Sequence, residues 1–337
     1  MSIMQYIDVV IIGAGPIGLF TVFQAGMLGM KCYVIDVLDC LGGQCVALYP
    51  EKPIYDIPAY PIITGTELVE KLKKQAEPFN PTYYLGQQVV ECKVNDDSRI
   101  KVVTSSGHVI ITKVLIIAAG SGAFVPKKPP IKNIEDFENK TVFYSVKSRE
   151  IFKGKKIVIA GGGDSAVDWA LSLSELAEVI YLVHRRQTFR CLPQSLIRIN
   201  QLVEKGKIHK IIPYQLNGLV GENGIIKEVV LSDLNGNKKS LPADYLLAFF
   251  GLSADLGPIY QWGIKTSLHH IDVNLGNYET NVPGIYAIGD VASYPGKLKL
   301  ILTGFAEAAS ALHHCYSRVF DGKVLHFQHS TTKGVPI

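Results

Sequence analysis

Residues 8–36 read DVVIIGAGPIGLFTVFQAGMLGMKCYVID, and the same pattern returns without a gap at residues 156–184 as KIVIAGGGDSAVDWALSLSELAEVIYLVH. Each stretch has a short apolar run, a glycine-rich turn, an amphipathic helical segment and a second apolar run. This order predicts a strand–helix–strand unit whose two strands are parallel. A unit that occurs twice predicts an α/β protein with an internal repeat.

The glycine turns indicate what the two units bind. Each turn follows a strand pattern and opens a helix pattern, which is the context that a dinucleotide-binding turn requires. The first glycine makes the tight turn, the second lets the backbone approach a pyrophosphate, and the third position allows close helix–strand packing. The free N–H groups at the helix start then favour phosphate. Two Rossmann-like dinucleotide-binding domains are therefore predicted, with contacts from Gly13, Gly15, Pro16, Ile17 and Gly18 in the first turn and Gly161, Gly163, Asp164 and Ser165 in the second.

The two units differ at the end of their second strand, where the nucleotide is selected. In the first unit this strand ends in Asp36, whose carboxylate can accept hydrogen bonds from the ribose hydroxyls of an unphosphorylated adenosine. In the second unit the sequence is LVHRRQTFR, which places His184, Arg185, Arg186 and Arg190 there. Guanidinium groups attract a 2′-phosphate. The first site is predicted to bind FAD and the second NADP(H), although a solvated basic turn is an alternative for the arginines.

Composition excludes several classes of protein. The chain has 337 residues, of which 47% are hydrophobic, enough for two domains with separate cores. The net charge of +4 comes without a dense basic tract, so no nucleic-acid partner is expected. No apolar run is long enough to span a membrane, and the apolar start lacks the features of a signal peptide. The six cysteines have neither zinc-ligand nor C-x-x-C spacing, so we expect reduced thiols and a cytoplasmic protein.

A third motif returns the chain to the first domain. Residues 280–293, TNVPGIYAIGDVAS, resemble the second FAD motif of flavoprotein reductases with two dinucleotide domains, in which Asp290 would hold the ribityl chain. The stretch LILTGFAEAASALHH that follows predicts a helix whose N-terminus faces the flavin and whose dipole favours the anionic reduced ring. We therefore expect a discontinuous FAD domain of residues 1–124 and 251–337, with an NADP domain of residues 125–250 inserted into it.

Residues 42–61, GGQCVALYPEKPIYDIPAYP, and the tail FQHSTTKGVPI carry a more specific resemblance. The chain resembles the ferredoxin/flavodoxin–NADP reductases of the thioredoxin-reductase-like type over essentially its whole length. The resemblance implies a homodimer that moves electrons between NADPH and ferredoxin or flavodoxin. It also implies two catalytic residues on the faces of the flavin, Tyr49 by stacking and His329 near the nicotinamide. The further FAD contacts it implies are Gly43, Gln44, Val89 through its backbone, Phe124 and Thr331.

Two cysteines, Cys40 and Cys45, flank the Gly-Gly-Gln segment and raise the question of a redox disulfide. Cys45 follows the two glycines as in glutathione-reductase relatives, but the position of its partner is Pro50. Thioredoxin reductases carry a cysteine pair shortly before the second glycine turn. The corresponding stretch of this chain, TVFYSVKSREIFKGKK, contains no cysteine. We expect both thiols to be packing residues. Electrons would then pass by hydride transfer from NADPH to the flavin and leave the flavin one at a time.

Two alternative functions stay open at this point. One is a cysteine-independent NADPH-dependent flavin reductase of a small disulfide or quinone, and the other is a non-catalytic flavoprotein that senses the NADP(H) redox state. Basic residues in the middle of the chain can attract an acidic partner protein, although each can also be an ordinary solvated charge. They are Lys127, Lys128, Lys132, Lys147, Arg149, Lys153, Lys155 and Lys156.

Overall fold

The structure is a computed structural model that describes residues 4–326 and Gly334, without the side chains of residues 123–125 and 252–254. The chain divides into two compact units. The first unit comprises the described residues of Met1–Ala47, Pro53–Phe124 and Ala254–Ile337, and the second comprises Leu48–Lys52 and Val125–Ser253.

The described helices are α1 Pro16–Met27, α2 Gly43–Ala47, α3 Gly65–Ala76, α4 Asp164–Leu173, α5 Pro193–Glu204 and α6 Ile301–Val319. Short 3-10 segments occur at Glu77–Phe79, Ile134–Asp136, Glu150–Phe152, Gly257–Gln261 and Gly289–Val291. Within the described residues, no helix is both long enough and apolar enough to cross a membrane.

The described strands fall into several sheets. They are β1 Met4–Ile12, β2 Cys32–Ile35, β3 Pro53–Ile54, β4 Ile63–Thr64, β5 Thr82–Tyr84, β6 Val89–Val94, β7 Ile100–Thr104, β8 Val109–Ile117, β9 Ala123–Pro126, β10 Val142–Phe143, β11 Lys156–Ala160, β12 Val179–Val183, β13 Ile208–Ile211, β14 Gln215–Glu222, β15 Ile225–Ser232, β16 Lys238–Pro242, β17 Tyr245–Ala248, β18 Leu252–Asp255, β19 Thr266–Ser267, β20 His270–Asp272, β21 Ile285–Ala287 and β22 Ala292–Ser293.

The main sheet of the first unit has the order β5-β2-β1-β8, with β1, β2, β5 and β8 parallel. On the side of β8 that faces away from β1, two strands pair with it. The first half of β8 pairs with the antiparallel β7, and the second half pairs with the parallel β21. Ile12 of β1 is in register with Ile35 of β2 and Ile117 of β8. The carboxyl ends of these strands therefore meet at one edge, which is where α/β sheets bind their ligands.

The second unit repeats this arrangement. Its parallel sheet has the order β13-β12-β11-β17-β10, which corresponds strand for strand to β5-β2-β1-β8-β21. Each unit adds antiparallel strands, β6 and β7 in the first and β14-β15-β16 in the second. The predicted α/β fold with two Rossmann-like units is confirmed.

Burial explains why the central strands are continuous apolar runs. Val9 and Ile11 of β1 pack into a cluster with α1 and α6, whereas Val10 of the same strand packs into a cluster on the other face of the sheet. In the second unit, Ile157 and Val158 of β11 divide between two clusters in the same way. Parallel strands covered on both faces need apolar residues at every position, not at alternate ones.

Candidate dinucleotide-binding sites

The first glycine turn, residues 13–18, is fastened between its two neighbouring strands. The Gly13 N–H donates to the Ile35 carbonyl at 2.8 Å, and the Ala118 N–H donates to the Ile12 carbonyl at 2.8 Å. A Cβ at Gly13, whose φ is +108°, would lie 2.4 Å from the carbonyl oxygen of Ala118. A Cβ at Gly18 would lie 1.8 Å from the carbonyl oxygen of Gly13. These two glycines are required by internal packing.

Gly15 is different, because a Cβ there would meet no clash. The nearest atom to a Cβ placed there is the Cα of Gly43, at 3.9 Å. Gly15 is the N-cap of α1, no side chain caps the helix, and Pro16 takes its first position. The N–H groups of Ile17 and Gly18 therefore lack intrahelical acceptors and point out of the helix end, which is an arrangement suited to phosphate. This turn fits a pyrophosphate.

A following segment covers the first turn from the side. The Gly42 N–H donates to the Ala14 carbonyl at 2.9 Å, and a Cβ at Gly43 would lie 3.0 Å from the Cα of Gly15. Gln44 follows in α2, and its Nε2 lies 3.5 Å from a Cβ placed on Gly120. The structure therefore brings the predicted contact Gly43 to the first glycine turn and the predicted contact Gln44 beside Gly120, which follows β8.

Asp36 is 8% exposed, and its carboxylate is bound to the backbone. Its Oδ2 accepts the Ala14 N–H at 2.6 Å, and its Oδ1 accepts the Leu38 N–H at 2.8 Å. Burial raises the pKa of Asp36 above its ordinary value, while hydrogen bonds from Ala14, Leu38 and Val37 act in the opposite direction. Asp36 holds the glycine turn in place, and its contact with a ribose stays a prediction.

Asp290 lies in the turn that follows β21, at the same edge of the sheet. The preceding residue, Gly289, has a φ of +74°, and a Cβ there would lie 3.5 Å from the side chain of Ile17. A Cβ at Gly304 of α6 would lie 2.4 Å from Ile17 and 3.4 Å from the Cα of Gly289. The glycine turn, the Gly-Asp turn and α6 thus meet closely. Within the described part of the chain, the Asp290 carboxylate makes neither a hydrogen bond nor an ion pair.

Sequence reasoning missed a buried polar cluster beside this turn. Glu307 is completely buried and receives donors from Gly289, Tyr294 and Lys297. The signal in the sequence was a single acidic residue in the mostly apolar helical stretch at residues 300–314.

The second glycine turn, residues 161–166, uses the same backbone contacts. The Gly161 N–H donates to the Val183 carbonyl at 3.0 Å, and the Phe249 N–H donates to the Ala160 carbonyl at 2.8 Å. Gly163 caps α4 without a side-chain hydrogen bond, and the nearest atom to a Cβ there is 4.0 Å away. It therefore presents the same open approach as Gly15.

A following segment also covers the second turn. The Arg190 N–H donates to the Gly162 carbonyl at 2.7 Å, and Asp164 Oδ1 accepts the Leu192 N–H at 3.1 Å. Asp164 is the first residue of α4, and Ser165 follows it. The segment after the second strand is thus held on the turn at two points.

Basic side chains surround this second turn. The His184 ring lies against Gly162, where a Cβ would come within 2.0 Å of the ring. Burial lowers the pKa of His184 below its ordinary value, and the charges of Arg186, Arg185 and Arg190 lower it further. Arg185, Arg186 and Arg190 are exposed, and in the described residues none of their guanidinium groups has a carboxylate partner. They are available for a phosphate group.

Tyr49 groups with the second unit. Its segment, Leu48–Lys52, is held there by the Lys52–Asp168 ion pair at 2.8 Å and by Glu51, which accepts the Arg149 N–H at 2.8 Å. The Tyr49 ring is half-buried against the apolar cluster that contains α4. Its stacking on a flavin stays a prediction.

The remaining predicted contacts lie elsewhere. Val89 is buried in the core of the first unit, and it pairs with Thr104 at the start of β6. The side chain of Phe124 and the whole of His329 and Thr331 lie outside the described residues. Their predicted roles are therefore neither supported nor contradicted.

All six cysteines are thiols. Cys45 is 3% exposed in α2, and Cys40 is exposed on the preceding turn. Burial raises the pKa of the Cys32, Cys92 and Cys315 thiols, which disfavours the reactive thiolate. In the part of the chain that the structure describes, no cluster of His, Cys, Asp or Glu side chains could hold a metal ion.

Comparison with known proteins places this geometry in a family. The profile of the pyridine nucleotide-disulphide oxidoreductases matches residues 7–311. A protein named ferredoxin–NADP reductase from Orientia tsutsugamushi (strain Boryong) is 66% identical over 328 residues, which cover 97% of this chain and 96% of that protein. One of the same name from Rickettsia rickettsii (strain Iowa) is 60% identical over 330 residues, with 98% and 97% covered.

The fold has close structural neighbours. A crystal structure of Lactococcus lactis thioredoxin reductase matches with a TM-score of 0.79 and 27% identity, covering 94% of this chain and 99% of that one. The predicted resemblance is therefore confirmed by sequence and by fold. The chain belongs to the pyridine nucleotide-disulphide oxidoreductase family and, within it, to the group of the ferredoxin–NADP reductases.

Proposed function

We propose that this chain is an FAD-dependent ferredoxin–NADP(+) reductase, which moves electrons between NADPH and ferredoxin or flavodoxin. The observation that carries the proposal is the pair of glycine turns. One chain contains two uncapped helix starts of the same construction, with an acidic residue at the first and exposed arginines at the second. Such a pair fits two different dinucleotides, and the family assignment identifies them as FAD and NADP(H).

The residues of the first unit fit FAD. The N–H groups of Ile17 and Gly18 would bind its pyrophosphate, and Asp290, whose carboxylate has no partner among the described residues, would bind its ribityl hydroxyls. FAD, when bound, supplies a ring that accepts a hydride and can release electrons singly. The protein contributes binding and orientation. We assign the predicted FAD domain, residues 1–124 and 251–337, to this unit, except for Leu48–Lys52 and residues 251–253, which group with the second unit.

The residues of the second unit fit NADP(H). The start of α4 would bind the pyrophosphate at Gly163 and Ser165, while Arg185, Arg186 and Arg190 would bind the 2′-phosphate. Burial and the arginine charges lower the pKa of His184, which favours a neutral ring that could accept or donate a hydrogen bond at the nucleotide. We assign the predicted NADP domain, residues 125–250, to this unit.

An acceptor of single electrons fits the cysteine arrangement better than a disulfide. Cys45 is buried in a short helix whose preceding glycines support the phosphate turn, and Cys40 lies on the other side of those glycines. A disulfide joining them would distort the turn that the cofactor needs. We therefore place electron exit at the flavin, with Tyr49 and His329 proposed to cover the two faces of its ring.

The proposed acceptor is an acidic protein. Lys128, Arg149 and Lys156 have carboxylate partners within the second unit, at Glu138, Glu175 and Glu178 respectively. In contrast, Lys127, Lys132, Lys147 and Lys153 are exposed and have no ion pair among the described residues. These four charges would attract an acidic partner and make its association salt-dependent.

Two further assignments belong to the proposal. We propose that the protein is a homodimer, as its resemblance to thioredoxin-reductase-like enzymes implies, and sedimentation at several concentrations tests this. We also propose a cytoplasmic location, because six thiols fit a reducing compartment.

NADPH-driven reduction of cytochrome c, measured with and without added ferredoxin, tests the proposed activity. A ferredoxin–NADP reductase needs the carrier for rapid reduction, and the stimulation should weaken as ionic strength rises. A protein that NADPH reduces but that passes electrons to ferredoxin slowly would instead be a redox sensor. Rapid turnover with a small disulfide or quinone, unaffected by ferredoxin, would favour the alternative flavin reductase.

A further inference from the structure

A buried cluster of charged and polar groups lies at the start of α6 in the first unit. Glu307 is 0% exposed in the second turn of this helix, and the Lys297 side chain is 8% exposed. Glu307 Oε1 accepts hydrogen bonds from the Tyr294 hydroxyl, at 2.5 Å, and from the Lys297 ammonium group. Its Oε2 accepts the Gly289 N–H at 2.6 Å.

Every member of this cluster has a partner. The Lys297 ammonium group also lies 5.2 Å from the centre of the Tyr294 ring, within cation–π distance. Burial and the hydrogen bond to Glu307 raise the pKa of Tyr294, so its hydroxyl stays a donor. Buried ion pairs often stabilise a fold no more than apolar residues of the same size would. Because the neighbouring core positions of α6 are apolar, the presence of Glu307 calls for a role beyond packing.

Among the described residues, the one backbone group that donates to the Glu307 carboxylate belongs to the Gly-Asp turn. Gly289 precedes Asp290 and has a φ of +74°, so its peptide orientation sets the direction of the turn. One turn earlier in the helix, Gly304 packs against Gly289, where a Cβ would approach the Cα of Gly289 to 3.4 Å. Helix α6 therefore holds this turn at two points, by a close contact and by a hydrogen bond.

Asp290 itself has no such support. Within the described residues its carboxylate makes no hydrogen bond or ion pair, so no polar contact with these residues fixes where it points. A carboxylate that must meet a ligand's hydroxyl groups needs an orientation set before binding, because ordering it at that moment costs affinity. The hydrogen bond from the Gly289 N–H to Glu307 holds the backbone immediately before Asp290.

We propose that Glu307 is a positioning residue for FAD binding, which orients Asp290 through the Gly289 N–H, and that Lys297 and Tyr294 hold the Glu307 carboxylate in place. The inference rests on the proposed function, in which the first unit holds FAD and Asp290 contacts it. It adds three residues that the cofactor need not touch.

The test uses the flavin-loaded protein and compares lysine substitutions near the two ends of α6. Lys297→Met removes the buried cation of the cluster. Lys113→Met is the matched control, because its ammonium group binds the Val319 carbonyl and lies 3.6 Å from Asp321 at the other end of the helix. We expect Lys297→Met and Glu307→Gln each to raise the FAD dissociation constant at least tenfold, measured by flavin fluorescence on dilution, and Lys113→Met to change it less than twofold.

Combining Lys297→Met with Glu307→Gln tests whether FAD affinity can be restored. In Glu307→Gln/Lys297→Met no charge is buried, the amide oxygen can accept the Gly289 N–H, and the amide NH₂ can donate to Tyr294. We expect FAD affinity to return to within about threefold of wild type. A double variant that binds FAD more weakly than either single variant would overturn the proposal.

A double-mutant cycle with Asp290 separates positioning from general destabilisation. Asp290→Asn should weaken FAD binding strongly in the wild-type background and much less in the Glu307→Gln background, because the second variant has already misplaced the side chain. Equal effects in both backgrounds would contradict the proposal. If Glu307→Gln does not fold, the same cycle is run with Lys297→Met. A wild-type protein that binds no FAD would refute the proposed function instead.

Discussion

The first and second glycine turns are built on the same backbone frame. In each, the first glycine donates its N–H to the end of the second strand, from Gly13 to Ile35 and from Gly161 to Val183. In each, the segment after that strand returns and donates an N–H to the middle of the turn, from Gly42 to Ala14 and from Arg190 to Gly162. The frame therefore repeats even where the side chains differ.

The two turns differ in how tightly the helix packs on the first glycine. The first has Gly18 where the second has Ala166, and a Cβ at Gly18 would lie only 1.8 Å from the Gly13 carbonyl oxygen. In the second turn the Ala166 Cβ is accommodated, and a Cβ at Gly161 would approach it to 2.8 Å. The first turn has no room for a methyl group at position 18, whereas the second turn accommodates the methyl group of Ala166.

The turns also differ in charge. Asp36 holds the first turn with Oδ2, which accepts the Ala14 N–H, and its Oδ1 accepts the Leu38 N–H. The arginines after His184 are exposed instead, and they leave the second turn positively charged. The comparison teaches that one backbone frame is suited to a pyrophosphate in both units, and under our proposal the side chains at the end of the second strand select the nucleotide.

The largest expected effect comes from exchanging the last residue of each turn, which is Gly18 in the first and Ala166 in the second. Gly18→Ala forces a Cβ against backbone that cannot move aside, so we expect a loss of about 3 kcal/mol or more in stability and of most bound FAD. Ala166→Gly opens space and lowers helix propensity, and it should cost about 1 kcal/mol. Urea denaturation and flavin content measure both. Similar losses for the two variants would mean that the turns are equally tight.

The next effect tests the charge difference. Arg185→Ala/Arg186→Ala removes charge-assisted contacts worth about 1.5–3 kcal/mol each. The preference for NADPH over NADH in kcat/KM should therefore drop at least about tenfold. Arg198→Ala, an exposed arginine on α5, is the control and should leave the preference unchanged. An equal loss with both cofactors would assign the two arginines a structural role.

A smaller effect is expected in the pH dependence of stability, with opposite signs for the two turns. The pKa of Asp36 is raised from 3.8, so its contribution is present below pH 3.8 and is lost as pH rises through the folded-state pKa. The pKa of His184 is lowered from 6.5, so its contribution is present above pH 6.5 and is lost as pH falls through the folded-state pKa.

Melting temperatures across the acid range measure these slopes. In the wild type, Asp36 should lower stability as the pH rises above about 4, and Asp36→Asn should abolish that decline. In the wild type, His184 should raise stability as the pH rises toward about 6.5, and His184→Asn should abolish that gain. Differences of the same sign for both variants would show that the two side chains are not held as the structure describes.

The smallest effect concerns the segment that covers the first turn. Cys40→Ser/Cys45→Ser should leave NADPH-dependent ferredoxin reduction within a few-fold of wild type, when rates are expressed per bound flavin. Exchanging the buried Cys45 thiol for a hydroxyl can cost about 1 kcal/mol of stability. If the fully flavinated variant no longer reduced ferredoxin, the segment that covers the first turn would carry a redox disulfide. The two covering segments would then differ in function.

The sequence alone determined the two strand–helix–strand units, the glycine turns and the contrast between Asp36 and the arginines. These features depend on residues close together in the chain, where hydrophobic period and glycine spacing report local backbone geometry. The same information predicted the fold, because parallel strands buried on both faces require continuous apolar runs.

Only the tertiary structure decided which distant groups meet. No periodicity indicates that the Glu307 carboxylate binds the Gly289 N–H, that Arg190 donates to Gly162, or that Tyr49 packs within the second unit. Each of these contacts joins segments separated by other elements, and its geometry depends on how whole helices and strands pack. A buried carboxylate is stable only when other parts of the fold supply its hydrogen-bond donors. The sequence could therefore show Glu307 as the one acidic residue of a mostly apolar helical stretch, but it could not identify the groups that Glu307 binds.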